Sequence, residues 1–197
     1  MMTALLLLLL TQPAAAPDAA TVRGWFETGR YQDVVSVALT EATDPEVVYL
    51  VALGYERLER PAEAQATYAR LAGRSAGDPW HAIGRSAVLL GESKQAEAVQ
   101  AAREAVRDGA QLAAAQFQLG LALAAGRDYA GAAPAFEAAI AINPQPAYAH
   151  YNAGLSYYQV ERIDLMARYF ESFLKLAPNA PERTQVESIM RTVRGRR

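Results

Sequence analysis

The stretch AAAQFQLGLALAAGRDYAGAAPAFEAAIAINPQP, residues 113–146, decides the fold. Its first half sets Phe117, Gly120, Leu121 and Ala124 at the i, i+3, i+4, i+7 spacing of one helix face. Its second half does the same with Tyr129, Ala132, Ala133, Phe136, Ala139 and Ile140. Gly126-Arg127-Asp128 lies between the two as a turn. Asn143-Pro144 ends the stretch, because the residue before a proline resists the helical region. The stretch is therefore a pair of amphipathic helices folded back on each other.

The same pair recurs along the chain with a fixed period. Asp44-Pro45 returns as Asp78-Pro79, Gly120 as Gly154, and Pro144 as Pro178, each a shift of 34. The three markers share one register, which divides the chain into units 45–78, 79–112, 113–146 and 147–180. Asp44 and Asp78 stand where helix N-caps belong, with Pro45 and Pro79 in the first turn. Alternating β-branched runs and Asn-Gly or Asp-Gly hairpin signals do not occur, so no β reading competes.

On these residues the chain resembles the tetratricopeptide repeat family. That family's 34-residue pattern wants small residues at positions 8, 20 and 27, rings at 11 and 24, and proline at 32. The last unit carries Gly154, Met166 and Phe173 at the small positions, Tyr157 and Phe170 at the rings, and Pro178. The third carries Gly120, Ala132 and Ala139, then Leu123, Phe136 and Pro144. The first has Ala52, Tyr55, Ala64 and Tyr68 in place, with Leu71 at the third small position. The second departs most, with Ala102 where a ring is expected. The resemblance implies an all-α, right-handed α-solenoid. In it the small residue at position 8 faces the small residue at 20, and the ring at 24 fills the gap towards the next helix.

The flanks complete the organisation. Residues 17–44 hold an atypical hairpin, with helices over 19–27 and 31–39 and a turn at Gly29. Residues 181–197 hold a capping helix, whose stripe Val186, Ile189, Met190 and Val193 covers the end of the last repeat, and a basic tail. Arg191, Arg194, Arg196 and Arg197 are expected to complement the dipole of that helix, with contact to an anionic surface or lipid headgroup as the alternative. Residues 1–16 join the apolar run Leu5–Leu10 to Ala14-x-Ala16, which reads as a secretory signal. A retained apolar anchor, holding the array on a membrane, and a start codon placed too early are the alternatives.

Composition narrows the function. A net charge of -2 gives no basic excess for nucleic acid. The absence of cysteine rules out disulfides, thiol nucleophiles and Cys-based zinc sites. His81 and His150 fall in units two apart, so no paired metal site is expected, and no cofactor motif or catalytic set appears. The resemblance instead implies a concave face built from the first helix of each unit. Its positions 2, 5, 9 and 12 read Glu46, Tyr49, Leu53 and Glu56, then Trp80, Ile83, Ala87 and Leu90, then Ala114, Phe117, Leu121 and Ala124, then Tyr148, Tyr151, Leu155 and Tyr158, apolar and aromatic apart from the first unit. Trp80, Ile83, Phe117, Leu121, Tyr148, Tyr151, Leu155 and Tyr158 are the expected partner-binding residues, in an apolar and aromatic groove suited to an apolar or amphipathic segment. Position 6 offers Asn152 without any Lys or Arg at positions 2, 5 or 9, which argues against capture of a carboxylate tail. The expectation is a non-catalytic protein-interaction scaffold of the bacterial cell envelope. Self-association into a structural assembly is the second reading.

Overall fold

In the computed structural model, residues 16–144 and 146–194 are described. They form eleven α-helices and, among the described residues, no strand. The proposed signal or anchor, apart from Ala16, lies outside the described residues, as do Arg196 and Arg197.

Helix α1 spans Ala19–Glu27 and α2 Tyr31–Val35. Four hairpins follow: α3 (Pro45–Arg57) with α4 (Pro61–Ala72), α5 (Pro79–Gly91) with α6 (Gln95–Asp108), α7 (Ala113–Ala125) with α8 (Tyr129–Ile142), and α9 (Ala147–Gln159) with α10 (Ile163–Leu176). First helices begin at 45, 79, 113 and 147, and second helices at 61, 95, 129 and 163, so both keep the period of 34. Helix α11 (Arg183–Arg194) closes the array. Val186 and Met190 of its stripe are buried, and Ile189 and Val193 are half-buried against the core.

The starts have local causes. The Asp44 carboxylate accepts from the Glu46 N–H at 2.8 Å and that of Asp78 from Trp80 N–H at 2.9 Å. Each satisfies an amide that the helix itself leaves unbonded. Helix α2 is shorter than the expected 31–39. Ser36 follows its last residue, and the Ser36 hydroxyl donates back to the Asp33 carbonyl at 2.7 Å. A serine that bonds locally in this way competes with helix propagation.

One turn is used five times. At the end of α3 the Arg60 N–H bonds to the Tyr55 carbonyl and the Glu59 N–H to that of Glu56. The same crossed pair closes α1, α5, α7 and α9, through Arg30 and Gly29, Lys94 and Ser93, Asp128 and Arg127, and Arg162 and Glu161. These are Schellman motifs, which need one residue in the left-handed region. That residue is Gly29 (φ 76°) in the first hairpin, but Glu59, Ser93, Arg127 and Glu161 (φ 56° to 63°) in the others. In the turn at 126–128, Gly126 keeps an ordinary φ of -79° and Arg127 takes the strained position.

Packing within the hairpins corrects one expectation. A Cβ built on Gly120 would lie 2.5 Å from the Phe136 ring, and one on Gly154 2.5 Å from the Phe170 ring. The ring at position 24 thus packs onto the small residue at position 8 of its own hairpin, and not only towards the next helix. Phe136, Phe170 and Phe173 are fully buried. Where the ring is missing, at Ala102, a small alanine cluster of Ala98, Ala102 and Ala122 stands apart from the main core.

A candidate binding site on the concave side

The first helices line the inner side of the array, and the two ends of the array meet across it. Tyr31 of α2 and Tyr148 of α9 share a hydrogen bond between their hydroxyls. The Phe26 ring packs edge-on against Tyr148 at 5.5 Å. From α3, the Arg57 guanidinium sits 3.9 Å from the Tyr148 ring centroid and donates to Glu182 Oε1 at 2.6 Å. The Tyr148 hydroxyl donates to Glu182 Oε2 at 3.0 Å, so Tyr31 is the donor in the pair of phenols. Tyr151 donates to Gln185 Oε1 at 3.1 Å. Burial pushes the Tyr148 phenol well above its ordinary pKa.

This closure sorts the eight groove residues expected from sequence. Ile83, Tyr148 and Tyr151 are buried inside the protein. They are core in this state, because neighbouring helices and the opposite end of the array fill the bottom of the groove. Trp80, Phe117, Leu121, Leu155 and Tyr158 are half-buried and keep surface that a partner can touch. The residues at position 12, Glu56, Leu90, Ala124 and Tyr158, are all exposed or half-buried, so the open part of the groove runs along this row. A cleft of about 250 Å³ lies there, with Glu56, Ala87, Leu90 and Leu121 in its wall.

Below the open row the inner side is stitched by polar groups. The Tyr49 hydroxyl donates to Gln118 Oε1 at 2.9 Å, and Gln118 Nε2 donates to Ser86 Oγ at 3.2 Å. All three residues are buried and belong to three successive first helices. A second cavity, of about 100 Å³, is walled by α1, α3, α7 and α9, with Phe26, Tyr49, Phe117 and Tyr148 among its rings. Glu27 faces it. Burial pushes the Glu27 carboxyl up to about 7, against a smaller opposing effect of Arg23.

Other singled-out residues are structural. His150 Nε2 lies 3.1 Å from the Pro144 carbonyl and its ring packs on Tyr169, while burial lowers its pKa. Asn152 Nδ2 donates to the Tyr148 carbonyl one turn back at 2.7 Å. Among the described residues, no group of three or more His, Asp or Glu side chains could hold a metal ion. Sequence reasoning missed Arg57, Glu182, Gln118 and Glu27. Only Glu182, an acid beside the capping helix, lies near a segment whose period pointed to contact with the array.

Residues 113–146 and 147–180 each match the tetratricopeptide repeat family. Comparison with curated proteins finds no match. Among solved structures, a thermophilic tetratricopeptide protein from Thermus thermophilus is similar, with a TM-score of 0.62 and 19% identity over 86% of this chain and 95% of that one. YrrB, described as a tetratricopeptide protein with an unusual peptide-binding site, gives 0.54 and 20% over 86% and 88%. A structure of MamA gives 0.51 and 19% over 81% and 92%. At these identities the likeness is one of fold.

Proposed function

We propose, from the match of residues 113–180 to the tetratricopeptide repeat family, that this chain is a non-catalytic scaffold that holds a segment of another protein on its concave side. The fold is one that generally serves protein–protein interaction. The observation that carries it is the open row along the groove. Leu90, Leu121, Ala124, Leu155 and Tyr158 leave apolar surface half-exposed beside a cleft, on the side where the array is curved. An amphipathic or apolar segment gains most from such a surface, by burying its own apolar face there. Trp80 and Phe117, half-buried aromatics, add anchoring area.

The site of action in this proposal is the bacterial cell envelope. What supports it is the apolar run Leu5–Leu10 followed by Ala14-x-Ala16. Among the described residues no helix is long and apolar enough to cross a membrane. N-terminal sequencing of the protein from its native cell tests this part: a start at Pro17 supports export, and an intact Met1 or Met2 in the membrane fraction supports the anchored alternative.

The binding surface is tested by photo-crosslinking in the native cell, with the reactive group at Leu121 and a control at exposed Arg168. A discrete heterologous protein captured from Leu121 and not from Arg168 is the expected result. Crosslinks between copies of the chain, or equal capture from both sites, would favour the self-associating structural role.

A further inference from the structure

The cavity enclosed by α1, α3, α7 and α9 holds one charge that its neighbours leave unmatched. Arg23 is bonded to Glu46, with its Nε 3.0 Å from Glu46 Oε1. Arg57 is bonded to Glu182. Glu27 Oε1 is buried and has no hydrogen-bond partner in the protein. A carboxylate oxygen withdrawn from water without a donor is unfavourable, so it is either protonated or met by a cation. Apart from Asn143, the rest of the wall is apolar and aromatic, with Phe26, Tyr49, Leu50, Leu53 and Phe117. The pair Arg23–Glu46 belongs to the same wall and is about a third exposed, which opens the cavity to solvent on that side.

We propose that this cavity is a subsite for a primary alkylammonium group, the end of a lysine side chain on the bound partner segment, with Glu27 as its counter-ion. This rests on reading the concave side as the partner-binding surface. Three features select that chemistry. The volume, about 100 Å³, is smaller than the roughly 150 Å³ cavity that admits benzene, so only a slender group enters. One unpaired oxygen satisfies the point charge of an ammonium, whereas a guanidinium fork asks for two acceptors side by side. A divalent metal would need several oxygen ligands, and Glu46 is already engaged by Arg23. Rings in the wall attract a cation more than an anion or a neutral polar group.

The proposal is tested on the full chain with n-butylammonium as the probe and n-butanol as its uncharged counterpart. Thermal melts should show a saturable rise with the amine and none with the alcohol. Calorimetry at pH 7 should show heats that vary with the ionisation enthalpy of the buffer, because the amine displaces the proton of Glu27. E27Q, close in shape and lacking the charge, should weaken the amine roughly tenfold or more, the loss of one charge-assisted bond. R23Q should act in the opposite direction and tighten it, since it removes the competing cation. Equal effects of butanol and the amine, an unchanged affinity in E27Q, or no saturable shift in the parent chain would each overturn the proposal. Crosslinking from Leu121 reads the open row independently of Glu27, so a failed subsite and a failed binding surface are told apart.

Discussion

Arg57 and Glu182 form an ion pair at 2.6 Å although 125 positions separate them, with side chains only 28% and 14% exposed. The same guanidinium covers the Tyr148 ring. This contact joins the first full hairpin to the capping helix and makes the concave side a closed interior over part of its length. Its two charges are largely out of water and share their neighbours with Tyr148 and Tyr31, so removing one leaves the other without compensation.

Arg57→Ala should therefore destabilise the protein by about 2 kcal/mol, combining a half-buried pair with a desolvated cation–π contact. Arg85→Ala is the comparison. Arg85 pairs with Glu104 at 2.9 Å, but both side chains are about 40% exposed. That loss should stay below about 1 kcal/mol. Urea denaturation of both variants measures the difference, and equal losses would mean that the closure contributes no more than a surface pair.

Gly154 lies against the Phe170 ring with no room for a side chain. Gly154→Leu should cost a few kcal/mol through overpacking of α9 on α10. An unchanged melting temperature would remove the close approach from the account.

The left-handed turn residues give a prediction of opposite sign. Glu161 and Ser93 sit at φ 59° and 60°, a conformation that costs a side-chain-bearing residue on the order of 1 kcal/mol. Both are exposed and can be replaced without loss of packing. Glu161→Gly and Ser93→Gly should each stabilise the fold by up to about 1 kcal/mol, reduced by the greater freedom of glycine in the unfolded chain. Loss of stability on either change would contradict the turn assignment.

Glu27 predicts a dependence on pH. Its carboxyl titrates at about 7 in the fold against 4.5 as the ordinary value, with burial as the main cause. Between those values the folded state binds more protons than the unfolded one, so stability falls as pH rises through the window and levels off above it. Below 4.5 both states are protonated and the difference vanishes. Glu27→Gln should flatten this slope and leave the variant more stable than the parent above pH 7. Parallel stability profiles for the two proteins would rule it out.

How much of this could be read from residues alone depended on whether the information was local. The helix starts at 45, 79, 113 and 147 were legible because Asp-Pro, Gly and Pro markers recur in one register of 34, and the Asp-Pro pairs act within the first turn of their own helices. The turn geometry was hidden, because Glu59, Ser93, Arg127 and Glu161 carry no glycine signature; the shared backbone bonds hold them. The face-level pattern of the groove was legible, but its depth was not. Periodicity marks Tyr148 and Tyr151 as facing inward, and only the curvature of the whole array decides that Arg57, Tyr31 and Glu182 reach them. Glu27 was silent for the same reason. An acid at a helix end reads as solvated until α3, α7 and α9 are placed around it.

The meeting of the two ends is most directly measured as a distance. The chain has no cysteine, so spin labels at Arg30→Cys and Gln185→Cys are unambiguous, and both sites are exposed. Pulsed electron resonance should give a single narrow population at short range, because Tyr31 and Gln185 lie within one cluster around Tyr148 and Tyr151. Hairpins stacked in an open row, at the roughly 10 Å spacing of packed helices, would separate the labels by roughly 40 Å or more. A dominant population at that longer distance would contradict the closed array.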